Sequence, residues 1–335
     1  DLGLAHYATG IATRLQQVLD DWNFLSPQLE DLSATLNHGK ARHAFAFEPQ
    51  QCMAPLPRAF QWVDASAYPS HAQRVALARG REPAADLATV PRLYQGGSDD
   101  FLGPCDDAWF GAEAWDIDLE AELAVVTGDI GMGASPEQGL DGVRLLLLAN
   151  DWSLRKLLPD EAARGFGFLQ GKPATAFAPV AVTPDELGEG WAGGRVHGTL
   201  QVTVNGRRLG LLDPGEGMAQ HFGQLIAHLA MTRNLRAGSI VGGGTVSQPD
   251  AAKGVACLIE RRALEQQQHG EPRTPWLAFG DTVRIEFKGR DGASVFGALA
   301  QTVTGPGMTD NAAADTDTDT DTDNDTDNGG APAAA

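Results

Sequence analysis

Two glutamates spaced two apart offer the first chemistry. Glu120 and Glu122 lie in Asp116-Ile-Asp-Leu-Glu-Ala-Glu-Leu123, which runs on into Ala124, Val125 and Val126 and reads as a strand. Side chains at i and i+2 of a strand share one face. Two carboxylates on one face repel each other and are costly to bury without a cation. A hard divalent ion bound by carboxylate oxygens resolves that cost. The alternation of Asp116, Asp118, Glu120 and Glu122 with apolar residues equally fits a strand with one face in water, and this segment alone leaves both readings open.

Further along, Leu145-Leu-Leu-Leu148 and Ala149 end abruptly in Asn150-Asp151. Groups that bind or react favour strand ends and the loops after them. Asp151 is therefore either a third carboxylate of one site or a helix cap or turn residue. The chain has only five lysines, and Lys172 stands in the apolar, glycine-rich stretch Phe166-Gly-Phe-Leu-Gln-Gly171. A desolvated ammonium near carboxylates can anchor a substrate anion or an enolate. A surface lysine with a snorkelling stem is the plainer alternative.

Taken in order, six strings resemble the fumarylacetoacetate hydrolase family, its bacterial members above all. They are Asp64-Ala-Ser-Ala-Tyr-Pro-Ser-His71, Tyr94-Gln-Gly-Gly97, Glu120-Ala-Glu122, Asn150-Asp-Trp-Ser-Leu-Arg155, Gly171-Lys-Pro173 and Gly242-Gly-Gly-Thr-Val-Ser247. The resemblance covers residues 1–305. It implies that Asp64, Glu120, Glu122 and Asp151 hold a divalent metal, Mg²⁺ or alternatively Ca²⁺ or Mn²⁺. It implies that His71 is the general base and that Glu260 orients it, one residue off the family's spacing from Thr245. Lys172 and Arg155 match oxyanion and substrate contacts, and Tyr94 and Thr245 match residues that bind substrate oxygens. Some hydrolases of the family carry glutamine three residues after the matched arginine. Leu158 stands there and cannot donate a hydrogen bond, which counts against fumarylacetoacetate itself as substrate.

The residue chemistry runs the same way. Hydrolysis of a 1,3-diketone needs a base to activate water, and histidine serves near neutral pH. It needs a divalent ion to polarise the carbonyl. It also needs cations that stabilise the departing enolate.

These groups must be positioned by a scaffold, and the whole chain bounds it. At 335 residues and 42% apolar content, one large or two modest domains with a sizeable core are expected. The fold expected is α+β and β-rich: a mixed β-sheet roll as catalytic domain over 90–305, with a small N-terminal domain over 1–85. The resemblance implies further chain ahead of Asp1, so that small domain is expected to be cut short. Leu15, Val18, Leu19, Trp22 and Leu25 recur at helical spacing, and Ser26-Pro27 reads as the start of a second helix. Ser135-Pro-Glu-Gln138 is a capping box. The stretch from His197 through Asn205-Gly206 to Leu212 reads as a hairpin with a type I′ turn. A helix is expected over 222–234 and a strand over 277–287 with a turn at Gly280-Asp281. Gly242–Gly244 has no Gly-Lys-Ser/Thr after it, so it is no phosphate loop. Its glycines are expected to let backbone amides approach substrate or metal.

The net charge of −19 argues against a nucleic-acid partner. Eight aspartates and no basic residue lie between 310 and 335, and residues 306–335 are expected to form a disordered acidic tail. No apolar run reaches membrane-spanning length. Three cysteines without Cys-x-x-Cys spacing read as reduced thiols of a cytoplasmic enzyme. The expectation is a homodimeric, metal-dependent C–C hydrolase acting on a small 1,3-diketo acid of the fumarylacetoacetate or acylpyruvate type, in aromatic catabolism. Two alternatives stand beside it. One is a 2-hydroxy-dienoate hydratase or β-keto acid decarboxylase of the same family; the other is an idle oxo-acid-binding protein.

Overall fold

The computed structural model describes residues 3–308; the acidic tail expected from 306 lies almost wholly outside the described residues. In chain order the principal elements are α1 (Leu15–Asp20), α2 (Trp22–Asn37), β1 (Gln61–Ala65), α3 (Pro69–Ala78), β2 (Leu93–Gly96), β3 (Ala121–Thr127), α4 (Pro136–Asp141), β4 (Val143–Asn150), α5 (Leu158–Arg164), β5 (Thr199–Val204), β6 (Arg207–Leu212), α6 (Phe222–Leu229), β7 (Ser239–Gly242), α7 (Leu258–His269), β8 (Thr282–Lys288) and β9 (Ser294–Thr304). The architecture is the expected β-rich α+β one.

The site rests on a mixed six-stranded sheet. Its order is Ala176–Phe177, β4, β3, β7, β1, β2, and only β7 and β1 run parallel. A second sheet, ordered β6, β5, β8, β9 with Ala108–Trp109 at its edge, supplies the facing layer. Leu146 and Leu148 enter one core with Leu200, Val202, Ile285 and Phe287 of that second sheet. Leu145, Leu147 and Ala149 enter another with Trp62, Phe177, Ile240 and Leu19 of α1. Burial on both faces explains why β4 is an unbroken apolar run rather than an alternating one.

The hairpin of β5 and β6 has the expected turn. Asn205 and Gly206 both take positive φ, at 50° and 71°, and Val204 pairs with Arg207. The capping box also forms: the Ser135 hydroxyl accepts from the Gln138 amide at 3.3 Å, and the Ser135 amide donates to Gln138 Oε1 at 2.8 Å.

Elsewhere the structure departs from the sequence reading. The first helical break falls at Asp21, not at Ser26, so Pro27 lies inside α2. Pro27 is exposed near the start of α2, where a proline removes one backbone bond and no core packing. Helix α6 stops at Leu229, short of 234, because Leu235 leaves to exchange backbone hydrogen bonds of 3.0 and 2.9 Å with Ile130. Asp118, Glu120 and Glu122 are buried, so this segment is not a half-wet strand. The regular ladder also starts only at Ala121, leaving Glu120 just before it. Strand β1 lies within the six-stranded sheet, so residues 61–65 belong to that sheet, and Trp62 packs from it against Leu19 of α1. Among the described residues no helix is long and apolar enough to cross a membrane.

Candidate active site

Five strand ends converge at one edge of the six-stranded sheet. In the ladder Asp64 of β1 pairs with Gly242 of β7 and with Tyr94 of β2, and Gly242 pairs with Ala124 of β3. Ala121 pairs with Asn150, which sets Glu120 and Asp151 side by side just past β3 and β4; the Asp151 amide donates to the Glu120 carbonyl at 2.9 Å. Strand pairing, parallel between β7 and β1 and antiparallel elsewhere, is what brings residues remote in sequence to one end of the sheet.

Asp64, Glu122 and Asp151 present oxygens all within 4.8 Å of one another, and all three are buried. Burial, then the neighbouring carboxylates, raises Asp64 and Glu122 well above the ordinary carboxylate range. Glu122 Oε2 is buried with no hydrogen-bond partner among the described residues. Three crowded hard oxygen donors, one of them orphaned, fit a divalent ion such as Mg²⁺ or Mn²⁺. The remaining oxygens are held in place. Thr245 Oγ1 lies 3.5 Å from Glu122 Oε1, Thr175 Oγ1 donates to Asp151 Oδ1 at 2.6 Å, and the Gly244 amide donates to Asp64 Oδ1 at 3.0 Å. The amide of the glycine run thus approaches a carboxylate of this cluster. A Cβ on Gly242 would stand 2.3 Å from Asp64 Oδ1, so only glycine fits there.

Glu120 faces cations instead. Arg155 Nη2 donates to its Oε1 at 2.7 Å, and the Lys172 ammonium donates to Oε2. Burial would raise Glu120, but Arg155 and Lys172 outweigh it and hold the group well below its ordinary range. Lys172 Nζ also donates to Asp151 Oδ2 at 2.7 Å and lies 5.5 Å from the centre of the Tyr94 ring. Its own pKa rises despite burial, through Asp151 and Glu120. The Tyr94 hydroxyl donates to Asp151 Oδ2. Arg155 Nε and Nη2 are engaged by Asp118 and Glu120, so the arginine reaches the site through Glu120.

His71 on α3 pairs its Nδ1 with Glu260 Oε1 on α7 at 2.7 Å. Arg74, one turn on from His71, donates to Glu260 Oε2 at 2.7 Å, and Ser247 Oγ does so at 3.0 Å. Burial works to raise Glu260; the bonds and charges of His71 and Arg74 overcome it and keep the carboxylate ionised. With Nδ1–H donated to that carboxylate, Nε2 is the free acceptor of the ring.

Every sequence-predicted residue thus lies in or beside one site. Sequence reasoning missed Arg74, Ser247, Asp118 and Glu161. Asp118 accepts from the first two amides of α7, Leu258 at 2.7 Å and Ile259 at 3.0 Å, while bridging Arg155. Glu161 on α5 accepts from the amides of Leu169, Gln170 and Gly171, immediately before Lys172. The only sequence signals were the helical offset of Arg74 from His71 and the place of Asp118 in the acidic alternation. Leu158 packs under Gly171, where a Cβ would come within 2.6 Å of it.

The chain belongs to the fumarylacetoacetate hydrolase family: the model for "Fumarylacetoacetate (FAA) hydrolase C-terminal" matches residues 61–304, and "Fumarylacetoacetase N-terminal domain 2" matches residues 1–58. It is an enzyme of that superfamily. Among relatives, a 2,4-didehydro-3-deoxy-L-rhamnonate hydrolase from Sphingomonas sp. (strain SKA58) is 28% identical over 211 residues, 59% of this chain and 70% of the relative. A Pseudomonas aeruginosa fumarylpyruvate hydrolase, solved with Mn²⁺ and pyruvate, superposes with a TM-score of 0.54 at 15% identity, covering 79% of this chain and 92% of that one. A 2-hydroxyhepta-2,4-diene-1,7-dioate isomerase from Mycobacterium marinum gives 0.51 at 17% identity, covering 79% of each. Hydrolases and isomerases thus share this fold.

Proposed function

We propose that the protein hydrolyses a C–C bond of a small 1,3-diketo acid, an acylpyruvate before fumarylacetoacetate. The observation that carries this is the His71–Glu260 pair at 2.7 Å, together with the Lys172 ammonium and the carboxylate cluster. A decarboxylase needs no base for water, whereas hydrolysis does. Asp64, Glu122 and Asp151, with Glu120 beside them, would hold a divalent ion, which would supply Lewis-acid polarisation of the substrate carbonyl.

His71 Nε2 takes a proton from water as the oxygen adds to the acyl carbonyl. Glu260 holds the ring tautomer and offsets the imidazolium charge. The ammonium of Lys172 faces the anion that develops when the C–C bond breaks. The enolate leaves with the bond's electron pair and regains a proton from His71. One water is consumed, and a carboxylic acid and a 2-oxo acid result.

The test is a parallel assay of acetylpyruvate, fumarylacetoacetate, oxaloacetate and 2-hydroxypentadienoate, with and without EDTA. Metal-dependent cleavage of acetylpyruvate is expected, with weaker turnover of fumarylacetoacetate. Turnover of oxaloacetate or the dienoate alone would replace hydrolysis by decarboxylation or hydration, and no turnover of any with metal bound would leave a binding protein.

A further inference from the structure

Cys257 occupies the N-cap position of α7 but does not cap it. Serine, threonine, aspartate or asparagine does that work, and here Asp118 from another segment takes the Leu258 and Ile259 amides. The thiol is instead buried, with Sγ 3.9 Å from His71 Nδ1. Glu260 sits three residues on, on the same face of the first helical turn. Arg74 and Ser247 occupy its Oε2 and leave Oε1 presented to His71. His71, Cys257 and Glu260 therefore offer one nitrogen, one sulfur and one oxygen, all within 4.8 Å of one another.

We propose that His71, Cys257 and Glu260 form a second metal site, selective for a soft or borderline ion of the Zn²⁺ class, and that its occupation switches the enzyme off. Tetrahedral zinc holds N, S and O ligands roughly 3.5 Å apart. The observed 3.9 Å between Sγ and Nδ1 and 2.7 Å between Nδ1 and Oε1 each need less than an ångström of adjustment. Three protein ligands leave a fourth position for water. The histidine edge is the partly open side, since His71 keeps 16% of its side chain exposed and Glu260 none. Thiolate and imidazole do not favour Mg²⁺, whereas the Asp64, Glu122 and Asp151 cluster has only hard oxygens.

The proton balance is closed. The thiol releases its proton to solvent on binding. The ring proton leaves Nδ1 for the metal's sake and returns on Nε2. Ion, thiolate and carboxylate then sum to zero charge. The same shift takes the lone pair from Nε2, the atom that activates water. The inhibition rests on that reading of His71; the binding does not.

The test uses the full chain in saturating Mg²⁺. Zn²⁺ is titrated against a chromophoric chelator, and Co²⁺ serves as a spectroscopic probe. Expected are a Zn²⁺ site that Mg²⁺ does not displace, a near-ultraviolet thiolate-to-Co²⁺ band, and loss of turnover as Zn²⁺ fills it. Cys257→Ala should lose the band, weaken Zn²⁺ by at least about tenfold, and keep its Mg²⁺-supported activity in the presence of Zn²⁺. Cys257→Ser gives the same readouts should the alanine variant fail to fold. A band that survives in both variants and vanishes with Cys52→Ala and Cys105→Ala overturns the proposal, as does Zn²⁺ that Mg²⁺ displaces. Binding and band without any turnover on the substrate panel would retain the site and reject the hydrolase.

Discussion

Single side chains here act in charge-balanced sets, and substitution effects follow from which partner is left behind. His71→Ala should lower kcat by about 10²–10⁴-fold with little change in KM, because water loses its base while the carboxylate cluster is untouched. Steady-state rates on the cleaved substrate decide it; a near-normal kcat would move the base elsewhere. Asp118 is a different case. It is fully buried, bridges Arg155 and caps α7. Asp118→Ala leaves the buried Arg155 guanidinium with Glu120 as its one carboxylate partner and two amides without their acceptor, and each buried group so left costs about 1–3 kcal/mol. Urea unfolding should show a loss of that order, well beyond that of an exposed acidic position such as Asp185. Neither Asp118 nor Arg74 was legible in the sequence. An aspartate in an acidic alternation looks the same whether it faces water or an arginine 37 residues away.

At the scale of elements, α5 and α7 hold loops by accepting their amides. Gly165 and Gly167 take positive φ, and Phe166 and Leu169 face solvent, so the segment between α5 and Lys172 has little packing to fix it beyond Phe168 against the Tyr94 ring. The three amide bonds to Glu161 do that instead. Glu161→Ala should therefore lower kcat/KM by about 10²-fold, the cost of displacing a catalytic group by roughly an ångström, and speed amide exchange at 169–171. Unchanged kinetics, with Lys172→Met inactive, would show that Lys172 is positioned by its carboxylate partners alone. On α7, Glu265 accepts from Thr274 Oγ1 and from the amides of Arg273 and Thr274, all at 2.7 Å. Burial pulls against these bonds, yet they bring its pKa down to about 2. A depressed carboxyl stabilises the fold above its unfolded value of about 4.3 and surrenders that stability as the pH falls towards 2. The gap in urea midpoint between the native protein and Glu265→Gln should then be full at pH 7 and narrow between about pH 4 and 2. A gap independent of pH would assign the loss to shape rather than charge.

For the whole molecule the decisive balance lies between the carboxylate cluster and what neutralises it. Asp64, Glu122 and Asp151 come from three parts of the chain, and folding forces them together against their repulsion. An ion that binds only the folded state stabilises it by mass action. EDTA should lower the thermal midpoint and abolish turnover; added Mg²⁺ or Mn²⁺ should restore both, and Glu122→Ala should make the midpoint insensitive to either treatment. A midpoint indifferent to chelator in the native protein would sink the metal centre.

The sequence alone determined the β-rich class, the hairpin at Asn205-Gly206 and the capping box at Ser135, and it named the candidate residues of the site. Those features are local, or carried by ordered motifs that each hold their own chemistry. The tertiary structure alone decided how the carboxylates divide. Strand pairing sets Asp64, Glu122 and Asp151 against one another, while Glu120, one ladder step away, meets Arg155 and Lys172. It likewise ended α6 at Leu229 and set Cys257 beside His71, because long-range pairing and burial outweigh the local preference of any one residue.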